Sequence, residues 1–262
     1  VSIRRDLLGC AVMAAASLVL TSVALADTPT ATPAQPPGLV MDGGFNKPKT
    51  SAELRKPGKG RDWYESRRDK KGHHLLFLAK RSVAGNPTPK AMIKGDATLN
   101  TYLSQNLAEA MTGDFTISCD ILVKAILAPA NHSAFIMVGD NADKKDGPNS
   151  TGAERFVFLG FSNAAVAGKI NLFAREGKNG FDQVTPVAQS LDLDKWYSID
   201  LTIHPSQGTY EASVRGVTPQ PVQLKAFAPT GKPAKSLTAI SFASWNDGPG
   251  TFYVDNISGQ KK

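Results

Sequence analysis

The segment Tyr197-Ser-Ile-Asp-Leu-Thr-Ile-His204 places apolar side chains at 197, 199, 201 and 203, with polar residues between them. A period of two sends alternate side chains to opposite faces of an extended chain. This stretch therefore predicts a strand with one buried face and one wet face. Ser206-Gln207-Gly208 follows as a turn, and Thr209-Tyr-Glu-Ala-Ser-Val-Arg-Gly216 alternates again. The pair reads as an antiparallel hairpin, which must find a second apolar layer for its inner face.

The same pattern recurs along the chain. Strands are predicted at 75–79, 91–93, 98–107, 115–126, 133–138, 155–161 and 169–175. Further strands follow at 184–189, 196–203, 209–215, 222–226, 237–243 and 251–257. Turn signals separate them, among them Ala84-Gly-Asn-Pro87, Asp146-Gly-Pro-Asn149, Gly177-Lys-Asn-Gly180 and Asp247-Gly-Pro-Gly250. Only Asn106–Met111 reads as a brief helix. With 23 glycines and 17 prolines the chain suits many turns, and at 41% hydrophobic it is too apolar for disorder. The predicted fold class is all-β, a two-sheet antiparallel sandwich or jelly roll.

Residues 1–26 stand apart. Arg4 and Arg5 precede an apolar run from Leu7 to Leu25, and Ala24-Leu-Ala26 supplies a cleavage pattern before Asp27, so the segment predicts a cleaved signal peptide. Its Arg-Arg pair resembles a twin-arginine export signal. No basic stop-transfer cluster follows, which argues against a stable membrane span. Residues 27–37 are rich in Pro and Thr and read as an extended tether, leaving 38–262 as one β-sandwich domain. The protein is thus expected to be exported to the periplasm, cell surface or medium. Cleavage would lower the net charge from +7 to +6 and leave Cys119 as the single thiol, placed in an apolar run and read as buried. The segment 56–71 mixes lysines and arginines with Asp62, Glu65 and Asp69 and carries no nucleic-acid-binding motif. Nucleic acid is therefore not an expected partner.

The stretch Asp192-Leu-Asp-Lys-Trp-Tyr-Ser-Ile-Asp-Leu-Thr-Ile-His204 with Gly208–Gly216 resembles the central hairpin of concanavalin A-like, laminin G-like jelly rolls. Gly250-Thr-Phe-Tyr-Val-Asp-Asn-Ile257 resembles their closing strand and that of carbohydrate-binding modules. Met41-Asp-Gly-Gly-Phe-Asn46 resembles their opening strand. The resemblance implies the fold but not one activity, since lectins, binding modules, glycosidases and lyases share it. It also implies a structural calcium ion (Ca2+) held by Asp42, the Gly44 carbonyl and Asp255, with Asn46 where the pattern carries Glu.

Catalytic patterns are thin. A glycosidase needs two carboxyl groups flanking the sugar, and no two glutamates of the domain fall at the required strand spacing. Glu65 and Glu176 are the best candidates for a pair drawn from separate strands. Ser51-Ala-Glu-Leu-Arg55 is similar to part of an alginate lyase element, but the companion elements are missing. No serine-hydrolase or zinc-protease frame surrounds His73, His74, His132 or His204. Asp140–Gly147 is acid-rich but lacks the last ligand of a calcium loop. Sugar binding needs flat rings beside hydrogen-bonding groups. Trp245, Asn246 and Asp247 at a strand end, with Trp63 and Tyr64, are the expected ligand-binding residues; Phe181 is a further ring, and Trp196 is expected in the core. The favoured reading is a secreted, non-catalytic protein that binds a polysaccharide or cell-surface glycan. The alternatives are an extracellular glycoside hydrolase or polysaccharide lyase of the same fold, and a structural envelope protein.

Overall fold

Alternation becomes pairing in the computed structural model, which describes residues 38–56, 62–66, 74–128, 131–140, 155–177, 184–227 and 236–262. The expected signal peptide and tether, His73, Phe181 and residues 141–147 lie outside them. One short helix, α1 (Ser51–Arg55), precedes the strands. In chain order these are β1 (Tyr64–Glu65), β2 (Leu76–Ala79), β3 (Lys90–Lys94), β4 (Thr101–Met111), β5 (Phe115–Ile126), β6 (His132–Gly139) and β7 (Val157–Asn163). Then come β8 (Lys169–Ala174), β9 (Thr185–Asp192), β10 (Trp196–His204), β11 (Thr209–Val214), β12 (Val222–Lys225), β13 (Leu237–Ser244) and β14 (Gly250–Lys261).

They form two seven-stranded antiparallel sheets, ordered β1-β4-β13-β6-β7-β8-β9 and β12-β11-β10-β5-β14-β3-β2. Sequential strands repeatedly change sheets, so the chain is a concanavalin A-like jelly-roll sandwich. The β10–β11 hairpin forms as its alternation requires, with Ile203 opposite Tyr210 and Ile199 opposite Val214. Its turn closes through Gly208 at φ +67°, a left-handed conformation that glycine adopts without a Cβ clash. Ile199, Leu201 and Ile203 point into the space between the sheets and meet Leu159, Phe161 and Ile240 in one continuous core. No helix among the described residues is long and apolar enough to cross a membrane.

The expected helix at Asn106–Met111 is instead the end of β4. Leu107 and Met111 are four apart, a spacing that shares a face in a helix and equally in a strand. Pairing settles it, because Asn106 lies opposite Ala239 and Met111 opposite Leu237. The opening segment crosses the same region. Gln105 lends its side-chain amide as a piece of strand edge, donating to the Met41 carbonyl (2.7 Å) and accepting from the Met41 N–H (2.9 Å). At Gly43 a β-carbon would lie 1.7 Å from the Ile257 carbonyl oxygen, so only glycine allows that segment to press onto β14.

Candidate functional site

The two outer faces of the sandwich differ in kind. The second sheet presents polar side chains that satisfy one another. Arg215 grips Asp200 with two nitrogens (3.0 and 2.6 Å), Ser118 donates to Asp200 (2.7 Å), and Asn256 donates to Asp120 (2.8 Å). That is how a solvated strand face behaves.

On the first sheet the outer face is aromatic and covered. Tyr102, Phe135, Phe158, Phe173, Phe227 and Trp245 form a cluster separate from the inter-sheet core, with none more than 8% exposed. Phe135 lies 4.3 Å from Trp245 and 5.6 Å from Phe158, centroid to centroid. Gly160 makes room, since a β-carbon there would stand 2.8 Å from both the Phe135 and Phe173 rings. Toward β1 the face turns polar, with Ser104 hydrogen-bonded to Ser66 (2.9 Å) and Ser241 (2.8 Å).

Two arginines lie on this patch. The Arg155 guanidinium carbon is 5.0 Å from the Trp245 centroid and 5.2 Å from that of Phe158. For Arg175 the distances are 4.9 Å to Phe158 and 5.0 Å to Phe227. Both sit on the Phe158 ring and are only partly exposed. Each such contact contributes about 0.5–2 kcal/mol. Burial, with Arg155 as a neighbouring like charge, pulls the pKa of Arg175 down to about 10, and Asp247 acts against this. His132, its ring tilted against Phe135 at 5.8 Å between centroids, feels the same surroundings. Burial lowers its pKa, Asp247 opposes that shift, and Arg175 adds to it. Among the described residues the patch thus brings Arg155, Arg175, His132 and Asp247 together above an aromatic floor.

The expected ligand-binding residues divide between the faces. Trp245, expected as an exposed ring, is 8% exposed beneath Arg155, because its position at the end of β13 points it onto the aromatic cluster. Trp63 is 5% exposed and lies on the opposite side of the sheet, packed against Phe45 and Phe242, with its indole N–H donated to the Asp42 carbonyl at 3.0 Å. The sheet itself thus separates the two tryptophans. Tyr64 pairs with Ser104 and reaches the outer face, but at the edge strand remote from Trp245. Asn246 and Asp247 form the exposed tip of the turn joining Trp245 to Gly248, where the Asn246 N–H donates to Asn100 Oδ1 (2.7 Å). Trp196 is not in the core: alternation sends Tyr197 inward and Trp196 outward, where its N–H donates to the Val83 carbonyl at 2.8 Å.

Arg155 and Arg175 escaped sequence reasoning, although a signal existed. Phe156-Val-Phe-Leu-Gly-Phe161 and Ala134-Phe-Ile-Met-Val138 are continuously apolar rather than alternating. Such runs mark strands covered on both faces, and arginines flank the first of them and β8.

The residues expected to hold calcium are engaged with the protein. Asp42 accepts the backbone N–H groups of Asn46 (2.7 Å) and Lys47 (2.9 Å). Asp255 is fully buried and accepts from Asn86 Nδ2 (2.8 Å), Thr88 Oγ1 (2.6 Å) and its neighbour's N–H (2.8 Å). Beside it the fully buried Lys90 ammonium donates to the carbonyls of Arg81 and Asn86 (both 3.1 Å) and Thr88. Among the described residues no group of three or more His, Cys, Asp or Glu could hold a metal ion.

Glu65 and Glu176 do not meet. Glu65 lies on β1 at one edge of its sheet, and Glu176 just beyond β8, five strands away, or about 24 Å at ordinary strand spacing. The carboxylate of Glu176 accepts from Thr185 and from the Lys225 N–H. Ser51–Arg55 is the capped helix α1: Thr50 accepts the Glu53 N–H (3.1 Å), and Arg55 donates to the Leu76 carbonyl (2.9 Å). Cys119 is buried, as its apolar run requires, and burial pushes its thiol pKa up.

No family model matches the chain, and no curated protein does. Solved structures do. A GH131 β-glucanase catalytic domain from Podospora anserina superposes with a TM-score of 0.51 at 15% identity, covering 86% of this chain and 96% of that one. The carbohydrate-binding module CBM66 from Bacillus subtilis gives 0.40 at 12%, covering 76% and 95%. A sialidase gives 0.44 at 12%; 66% of this chain matches 15% of that longer one. At these identities the likeness establishes the jelly-roll fold.

Proposed function

We propose that this is an exported, non-catalytic protein that binds a polysaccharide or cell-surface glycan on the outer face of its first sheet. The observation that carries the reading is the arginine-topped aromatic cluster. The six rings are themselves covered, and what the face presents above them is the pair of part-exposed guanidiniums, a polar feature that packing of the inter-sheet core does not require. Partly exposed arginines with Asn246 and Asp247 beside them offer the few convergent polar groups by which a binding face orients a ligand. The solved structures of similar fold include a carbohydrate-binding module and a glucanase catalytic domain, in keeping with a glycan ligand. Export rests on the signal pattern of residues 1–26. Against catalysis stands the separation of Glu65 from Glu176, far beyond the roughly 5–9.5 Å that glycoside hydrolysis uses.

The test is a glycan array probed with the protein, run beside reducing-sugar and unsaturated-uronate assays on every glycan retained. Retention without product supports the reading. Product formation replaces it with an enzyme, and no retention on neutral or acidic glycans refutes it in favour of a structural envelope role.

A further inference from the structure

The calcium ion expected between the opening and closing segments would need about six to eight oxygen ligands at roughly 2.3–2.6 Å. The carboxylates expected to supply them already face hydrogen-bond donors. Both Asp42 oxygens accept backbone N–H groups, from Asn46 (2.7 Å) and Lys47 (2.9 Å). Of the Asp255 oxygens, one accepts the Asn256 N–H (2.8 Å), the other the Asn86 amide (2.8 Å) and the Thr88 hydroxyl (2.6 Å). A metal ion approaching either carboxylate would meet the positive ends of those groups.

The positive charge beside Asp255 comes from the chain itself. Val254 pairs with Ala91, and one step further the antiparallel register sets Asp255 against Lys90. Ala91 and Ile93 enter the inter-sheet core, so alternation turns Lys90 to the outer side of β3. It is fully buried there nonetheless, because the connection from β2 folds over it. Val83 and Asn86 exchange backbone hydrogen bonds of 3.0 Å around Ala84 and Gly85, both at positive φ. Pro87 and Pro89 bias Asn86 and Thr88 toward extended backbone and bring no competing N–H. The carbonyls of Arg81 and Asn86 (both 3.1 Å) and of Thr88 then converge on the Lys90 ammonium, one for each of its three protons. The loop is held on β10 as well, where the Trp196 N–H donates to the Val83 carbonyl (2.8 Å). Converging carbonyls with a carboxylate alongside are the donor set of a hard cation, and here an ammonium fills it.

We infer that Lys90 is the chain's own structural cation: with Asp255 it pins the 81–88 loop across the outer face of the second sheet, and no calcium ion serves there. The experiment compares thermal melts of the protein in calcium chloride and in chelator, beside calorimetric titration of calcium chloride into chelator-treated protein. The two wild-type melts are expected to coincide, and the titration to give no binding heat. Lys90→Met keeps the length of the side chain but leaves the three carbonyls and Asp255 without their cation. It is expected to melt about 6–20 °C lower, the range for breaking a buried ion pair in a domain of this size. Trypsin is expected to cut it faster after Lys80 or Arg81, at the root of the released loop, with mass spectrometry placing the cut. A wild-type melt raised by calcium or lowered by chelator overturns the inference. So does a Lys90→Met protein whose melt, or whose cutting at the loop, matches the wild type. Where Lys90→Met fails to fold, the wild-type melts and titration decide by themselves. All of these groups belong to the second sheet and its loops, so either outcome leaves glycan binding on the first sheet to its own test.

Discussion

At the scale of single residues, environment decides which reactive groups stay silent. The Cys119 thiol is buried among apolar side chains and its ionisation is suppressed. Since the thiolate is the reacting form, alkylation followed by mass spectrometry should leave Cys119 unmodified in the native protein and modify it fully in denaturant. His132 gives a pH dependence. Its folded pKa lies below the ordinary 6.5, so the unfolded chain takes up the proton first as the pH falls. Stability is therefore highest above about 6.5 and declines below it, levelling once the folded imidazole is also protonated. Urea midpoints measured across that window should show the decline, and His132→Asn should remove it. Residue chemistry was the least legible layer in the sequence. Trp63 and Trp245 looked alike as rings near loops, yet one entered the core and the other slid beneath an arginine. What separated them was one step of strand phase, fixed by long-range partners that no local pattern names.

At the scale of elements, phase was written plainly wherever one face met water. Tyr197–His204 alternates without interruption, and β10 obeys it residue by residue. Ile199→Ala should accordingly cost about 2–5 kcal/mol in denaturant titrations, whereas Thr202→Ala on the same strand should stay within about 0.5 kcal/mol. The pattern failed where both faces were covered, because β6 and β7 carry apolar residues at successive positions and hide which face is which. Gly160 tests that second layer. A methyl group there must push aside the Phe135 and Phe173 rings, so Gly160→Ala should lower stability by about 1–3 kcal/mol. Loss of near-ultraviolet aromatic dichroism, with the far-ultraviolet spectrum unchanged, would place the damage in the outer cluster. The helix expected at Asn106–Met111 failed for a related reason: a four-residue spacing fits both structures, and only β13 breaks the tie.

For the whole molecule, the sandwich sets its own two edges of chain next to one another. The Leu39 N–H donates to the Gly259 carbonyl at 2.9 Å, so the domain is entered and left at the same place. Topologically it is a loop with one seam. A linker of about four residues from Lys262 back to Gly38 spans the remaining gap, and the seam can then be moved to Gln207–Gly208 in the turn between β10 and β11. Such a rearranged chain should keep the circular dichroism spectrum of the original and melt within a few degrees of it. The seam lies on the closing strand of the second sheet and not on the arginine-topped face of the first, so anything fused there, whether surface, reporter or second module, would leave that face untouched.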